Sequence, residues 1–350
     1  MKRAIIFVLV GVLLAGCTAA QPSPTATATA TPQPSATPQP TATQTQPLPT
    51  STATATLPPP TATSTSIPPF SQIIAFGDSY SDNGTGLLPM ANQIFDAEVL
   101  KLIEAYYWEG RSSNGPAAVE ILAEKLKIGL KDFAVSGARS DYSNNMGDKD
   151  GLKTSGLLGQ VDKFQAGLDG EKADPAALYF IHISINDFLA LQWRNPPSHD
   201  LELTMDTADQ AIANLVDAVN QLADSGARMF LIVNSIDLSK LPTVIEAGFV
   251  DDAKAFQSRI NSSLPSEMEK LSKERNLEII IFDYMAASER ILNNPGSYGL
   301  TNLTDYCLVW TGTANEICKS PDEYYFWDGL HPSRRVHQLM GEAMAEQLSK

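Results

Sequence analysis

The sequence predicts an α/β domain over residues 70–350: a three-layer α/β/α sandwich around a central parallel sheet of about five strands. Three observations carry that prediction. Five short apolar runs rich in Ile, Val, Leu and Phe recur along the chain. Segments of helical periodicity separate them, the pattern of a parallel sheet covered on both faces. The segment is also long enough, at about 280 residues, to bury a full core as one domain.

Taken in order, the strands are expected at Gln72–Phe76, Asp132–Val135, Leu178–Ile183, Met229–Val233 and Leu277–Phe282. Helical patterns are expected at Gly115–Leu126, Gly156–Leu168, Leu203–Ser225, Asp251–Arg275 and Tyr284–Leu292. Asn114 reads as an N-cap for the first of these. A last helix follows Pro332, from Ser333 or Arg334 to Leu348. In open parallel sheets, sites form outside the carboxyl ends of the strands. Ser79, Gly137 and Asn186 fall just past three predicted strand ends, which puts them on one rim.

The chain before this domain reads differently. Lys2 and Arg3 precede an apolar run, Ile5 to Leu14, too short to span a bilayer as a helix. It ends in Leu14-Ala15-Gly16-Cys17, which resembles the lipobox of bacterial lipoproteins and implies cleavage before Cys17 and lipidation of that residue. Residues 1–17 are therefore expected to be a lipoprotein-type signal peptide. Residues 18–69 are almost entirely Thr, Pro, Ala, Ser and Gln, with no charged residue. Such a segment buries too little apolar surface to offset its ordering entropy and is expected to be a disordered, semi-stiff linker. Extended, it reaches on the order of 150 Å at ~3.1 Å per residue. The expectation is an exported protein, lipid-anchored to the bacterial cell envelope and facing outside the cytoplasm.

All 40 acidic residues lie in the folded part; against the 23 basic residues left after Lys2 and Arg3, they give it a formal charge of −17. That balance argues against nucleic acid or anionic lipid as a direct partner. Contact with a membrane is expected through the lipid anchor alone, and the protein is expected to act as a monomer. Cys307 and Cys318, in a loop-like stretch, are expected to form a disulfide in an exported protein. No CxxC motif or Cys/His cluster accompanies them, so a zinc site is not expected there; neither metal nor cofactor is expected for the serine chemistry described below.

Chemistry concentrates at the two ends of the domain. Ile73-Ile74-Ala75-Phe76 runs into Gly77-Asp78-Ser79, a serine on a strand-to-loop turn. Far downstream, Asp328-Gly329-Leu330-His331-Pro332 places an acid three residues before a histidine. A serine hydroxyl is a weak nucleophile until an imidazole takes its proton, and the imidazole needs a carboxylate to fix its tautomer. Of the four histidines, His182 lies in an apolar strand and reads as a hydrogen-bonded core residue. His199 sits in the loop Asn195-Pro196-Pro197-Ser198, and His337 reads as a surface residue of the last helix. His331 alone has the acid at minus three.

Phe76-Gly77-Asp78-Ser79, Gly137, Asn186-Asp187 and Asp328-Gly329-Leu330-His331-Pro332 occur in the order and spacing of the four blocks of the GDSL, or SGNH, hydrolases. The resemblance covers essentially all of residues 70–350. Ala75 to Gly84, Trp108 to Pro116, and Phe326-Trp327-Asp328 with the upstream cysteine pair resemble one branch. It holds bacterial thermolabile haemolysins, phospholipase-type enzymes, lipid acyltransferases and plant GDSL esterases. The resemblance implies a flavodoxin-like SGNH hydrolase fold, with Ser79 as nucleophile, His331 as general base and Asp328 as its orienting acid. It further implies an oxyanion hole from the Ser79 and Gly137 backbone N–H groups and the Asn186 side chain. Ser184 stands where the family's Gly-x-Asn-Asp pattern has its glycine. Asp187 reads as structural. Residues 111–115 are candidates for the substrate entrance, and Tyr106, Tyr107 and Trp108 read equally as an acyl wall or as core.

The leading expectation is an extracytoplasmic serine ester hydrolase (esterase, lipase or phospholipase-like) working through an acyl-serine intermediate. Its partner would be an ester substrate, an acyl lipid or a small ester. Deacetylation of a carbohydrate and acyl transfer to an alcohol are the enzymatic alternatives. A catalytically inactive surface binding module that keeps the fold is the alternative outside enzymes.

Overall fold

The structure, a computed structural model, describes residues 70–149, 151–310 and 315–350. The expected signal peptide, Cys17 and the linker to residue 69 lie outside the described residues. Five strands form the central sheet: β1 (Gln72–Gly77), β2 (Gly129–Asp132), β3 (Leu178–His182), β4 (Met229–Val233) and β5 (Glu278–Phe282). Their order is β2-β1-β3-β4-β5 and every pairing is parallel. This is the doubly wound order of flavodoxin-type sheets, in which the strand order reverses beside β1 and opens a crevice there.

Eight principal helices cover the sheet: α1 (Ala97–Tyr106), α2 (Ala118–Leu126), α3 (Leu157–Ala166), α4 (Ile185–Gln192), α5 (Leu201–Ser225), α6 (Val250–Arg275), α7 (Tyr284–Asn293) and α8 (Arg334–Leu348). α3, α5 and α6 pack side by side in one layer, and α2, α8 and α7 in another. The three interior strands are almost wholly buried. That is why they read as unbroken apolar runs rather than alternating ones.

Four expectations are corrected. The second strand is Gly129–Asp132, not Asp132–Val135. As an edge strand it alternates exposed and half-buried residues, so its apolar content is low. The apolar Phe133-Ala134-Val135 follows the strand, where Phe133 stacks on Phe76 with ring centroids 5.5 Å apart. His337 is buried, its Nδ1 accepting a 3.1 Å hydrogen bond from the Ala118 N–H. His182 is buried as expected, but its Nε2 has no hydrogen-bond partner among the described residues. Asn114 does not cap the helix that follows it; its Oδ1 accepts from the Arg334 N–H, at the start of α8.

Beyond the main sheet, β6 (Asn302–Tyr306) pairs with β9 (Tyr324–Phe326), and β7 (Leu308–Trp310) with β8 (Asn315–Ile317). Cys307 and Cys318 are disulfide-bonded at the base of the β7–β8 hairpin. The Cys307 and Leu308 N–H groups donate to the carbonyls of Phe326 and Trp327. The bridged hairpin is thereby stitched to the strand that runs into Asp328.

Candidate active site

The rim is set by the register of the two central strands. Gly77 ends β1 opposite His182, which ends β3. A Cβ at residue 77 would stand 2.4 Å from the His182 carbonyl oxygen, so the turn into Ser79 needs glycine there. Gln160 holds the same peptide, donating to the Gly77 carbonyl and accepting from its N–H.

Ser79 emerges from this turn with its Oγ 2.9 Å from His331 Nε2. His331 Nδ1 lies 2.9 Å from both oxygens of Asp328. The Leu330 and His331 N–H groups donate to Asp328 Oδ1 at 2.8 Å, so acid and base share one tight turn. Asp328 is buried. Burial alone would raise its carboxyl pKa. The charge and hydrogen bond of His331, the Leu330 N–H and the Tyr107 hydroxyl outweigh that and hold it below the usual carboxylate range. Tyr80 stands behind the ring, its centroid 5.8 Å from that of His331 and its hydroxyl donating to the Leu330 carbonyl.

Gly137 adopts φ +84°, and a Cβ there would meet Asn144 Oδ1 at 2.5 Å, so no other residue fits without displacement. Asn186 sits in the first turn of α4, where its Oδ1 and carbonyl accept from Asn145 Nδ2. The accepting oxygen is thereby held, and the donating Nδ2 has no hydrogen-bond partner among the described residues. Ser79, Gly137 and Asn186 all line one cavity. Asp187 ties this region together: it accepts from Ser140, whose hydroxyl in turn accepts from Asn214. Ser184, before α4, adopts φ +113°, the left-handed region that costs a serine more than a glycine.

Two carboxylates flank the serine. Asp78 is fully buried, and that burial pushes its pKa up to about 7. Asp82, also fully buried, accepts from the N–H groups of Gly84, Gly86, Leu87 and Ser136 and from the Ser136 hydroxyl. It therefore fastens the serine loop to the residue preceding Gly137.

The cavity has a volume of about 230 Å³, and the Ser79–His331 pair lies in its wall. Leu87, Ile103, Met146, Leu189 and Trp193 are among its apolar lining residues. Of the expected entrance stretch 111–115, Arg111 and Ser112 line the cavity, with Arg111 gripping Glu120 through two nitrogens. Tyr107 also lines it, and its hydroxyl donates to Asp328 Oδ2 at 2.8 Å. Sequence reasoning left Tyr107 between wall and core and missed this bond, which spans 221 positions of chain and leaves no local pattern. Asp82 lay inside a quoted motif, but its five contacts are likewise invisible in one dimension. His199 stands apart, stacked on Phe249 and bonded to Asp252.

A doubly wound sheet with a bonded Ser–His–Asp line on its carboxyl rim, opening on an apolar cavity, is the plan of a carboxylic ester hydrolase. Residues 73–344 match the family of GDSL-like lipases/acylhydrolases, and the chain belongs to that family. It is 24% identical over 293 residues to a thermolabile haemolysin of Vibrio parahaemolyticus, covering 79% of this chain and 63% of the haemolysin. It is also 24% identical to a phosphatidylcholine-sterol acyltransferase of Aeromonas hydrophila, over 81% of each chain. Among solved structures it is similar to a phospholipase A1 from Streptomyces albidoflavus. The TM-score is 0.41 and the identity 16%, covering 80% of this chain and all of that one.

Proposed function

We propose that the protein is an extracytoplasmic serine ester hydrolase that works through an acyl-serine intermediate. The observation that carries this reading is the continuous hydrogen-bonded line from Ser79 through His331 to Asp328 in the wall of the cavity. Ser79 Oγ attacks the ester carbonyl carbon while its proton passes to His331 Nε2. The carbonyl electron pair moves onto oxygen, where the N–H groups of Ser79 and Gly137 and Asn186 Nδ2 stabilise the charge. Collapse breaks the bond to the alcohol oxygen, which takes the proton from Nε2 and departs, leaving acyl-Ser79. Water then gives a proton to the same nitrogen and attacks the acyl carbon; collapse breaks the bond to Ser79 Oγ, which takes that proton back from Nε2, and the acid is released. Asp328 keeps Nδ1 protonated throughout.

The apolar lining suits an acyl chain better than an acetylated sugar. Acyl transfer is the second reading, supported by the similarity to the Aeromonas acyltransferase; it differs only in whether an alcohol replaces water in the last step. Location rests on the first 69 residues, read as a lipidated leader and a tether. The Cys17→Ala protein is expected to leave the membrane fraction while keeping its activity.

The test is turnover of p-nitrophenyl esters from acetate to palmitate by wild type and Ser79→Ala. Activity that vanishes in the variant, with a longer-chain optimum, supports the reading. A folded wild type that neither turns over any ester nor is labelled by a serine-directed phosphonate is instead an inactive binding module.

A further inference from the structure

Gln192 closes α4, the helix that begins beside Asn186. It is only 6% exposed, lines the cavity, and neither its Oε1 nor its Nε2 has a hydrogen-bond partner among the described residues. The cavity residues nearest to it in sequence, Leu189 and Trp193, are apolar. Thr243, from the short helix Pro242–Glu246, lines the same cavity, and its Oγ1 is likewise buried with no hydrogen-bond partner among the described residues. Most buried amides and hydroxyls in native proteins are paired; of the eight buried side-chain atoms without a partner among the described residues, three belong to these two residues of one cavity wall, which points to a ligand group that pairs them.

The chemistry of that group follows from the donors and acceptors. A primary amide offers both, and so does a hydroxyl, and neither carries charge. A charged ligand group would need an opposite charge beside it; a hydroxyl needs what Gln192 and Thr243 supply. Six residues of helix at 1.5 Å each set Gln192 about 9 Å along α4 from Asn186, roughly six to eight carbon–carbon bonds from the reacting carbonyl. We propose that Gln192 and Thr243 form a subsite for a substrate hydroxyl, so that the enzyme prefers esters hydroxylated at about that distance over plain alkyl esters. This rests on the hydrolase reading above. The hydroxyl can belong to the acyl chain or to the alcohol.

The experiment measures kcat/KM of the full chain for two matched pairs: p-nitrophenyl 7-hydroxyheptanoate against p-nitrophenyl heptanoate, and 7-hydroxyheptyl acetate against heptyl acetate. Wild type is expected to favour the hydroxylated member of at least one pair about tenfold or more. The pair that shows the preference identifies the acyl or the alcohol side as its source. In Gln192→Leu that ratio falls to one or below, while the plain ester is turned over several-fold faster; Thr243→Val gives an intermediate ratio. Each ratio is taken within one preparation, so a partly misfolded variant does not disturb it. A wild-type ratio near one for both pairs, or a preference that survives Gln192→Leu, overturns the subsite and leaves the hydrolase reading standing. No wild-type turnover of any of the four esters overturns the hydrolase reading and the subsite with it.

Discussion

The Tyr107 hydroxyl donates a 2.8 Å hydrogen bond to Oδ2 of Asp328, on the carboxylate whose two oxygens both face His331 Nδ1. This bond is one of the interactions that keep the Asp328 carboxyl below the usual range. Removing it in Tyr107→Phe moves that carboxyl upward. The ionised form, which holds His331, is then lost at a higher pH as the solution is acidified. Expected is a roughly 3- to 10-fold fall in kcat/KM near neutrality, about the net value of one ordinary hydrogen bond (~0.5–1.5 kcal/mol), deepening toward pH 4. A pH profile of kcat/KM checks it; parallel profiles for the two proteins would mean that Tyr107 only fills space.

Asp82 accepts five hydrogen bonds while fully buried. Asp82→Ala leaves those donors facing a void, at about 1–3 kcal/mol for each that water does not reach. The variant is expected to lose several kcal/mol of stability and, where it folds, to lose kcat more than KM, because the Gly137 loop is no longer fastened to the serine loop. Urea unfolding and steady-state kinetics on the same preparation separate the two effects.

His182 is buried without a partner for Nε2, and burial depresses its pKa from 6.5 to about 3. The folded state then resists a proton that the unfolded chain accepts. The resulting loss of stability is absent above pH 6.5, grows as pH falls, and levels off near pH 3. Burial raises Asp78 from 3.8 to about 7 and Asp187 from 3.8 to about 6, which acts in the opposite sense: folding is weakened as pH rises from 3.8 to those values. With His337, also depressed to about 3, the four groups largely offset one another between pH 4 and 6. His182→Phe upsets that balance. Its stability relative to wild type is expected to climb by up to ~1.4 kcal/mol per pH unit below pH 6.5. Denaturant midpoints at pH 7, 6, 5 and 4 test it, and a constant difference would rule the idea out.

The Cys307–Cys318 bridge closes a loop of sequence separation 11, for which chain entropy estimates about 2–3 kcal/mol of stabilisation. Its hairpin is stitched to Phe326 and Trp327, and Cys307 packs in a small apolar cluster with Trp327 against Tyr107. Reduction, or the double Cys→Ser variant, is therefore expected to lower kcat severalfold as well as the melting temperature. Assays with and without dithiothreitol give the answer; full activity in the double variant would show that the acid turn holds its shape unaided.

The sheet was legible because its interior strands are buried on both faces and so announce themselves as apolar runs. The Ser79 turn and the Asp328–His331 turn were legible because each is a short contiguous motif. α4 was not, since seven of its eight residues are buried and no polar stripe marks the helical period. β2 was displaced for the opposite reason: its exposed edge dilutes the signal, and the apolar residues just after it drew the boundary forward. Asn114, His337, Tyr107 and Gln192 all take their meaning from partners or a cavity assembled across more than one element, and no local pattern encodes that.

Ser79 stands nine residues into the described domain and His331 nineteen from the end of the chain, 252 positions apart. Under the proposed mechanism, any chain cut short before residue 331 lacks both the base and a complete β9–α8 closure, and is inert toward esters. Under that mechanism a nascent polypeptide has no action on esters until residue 331 has been made and has folded against Ser79.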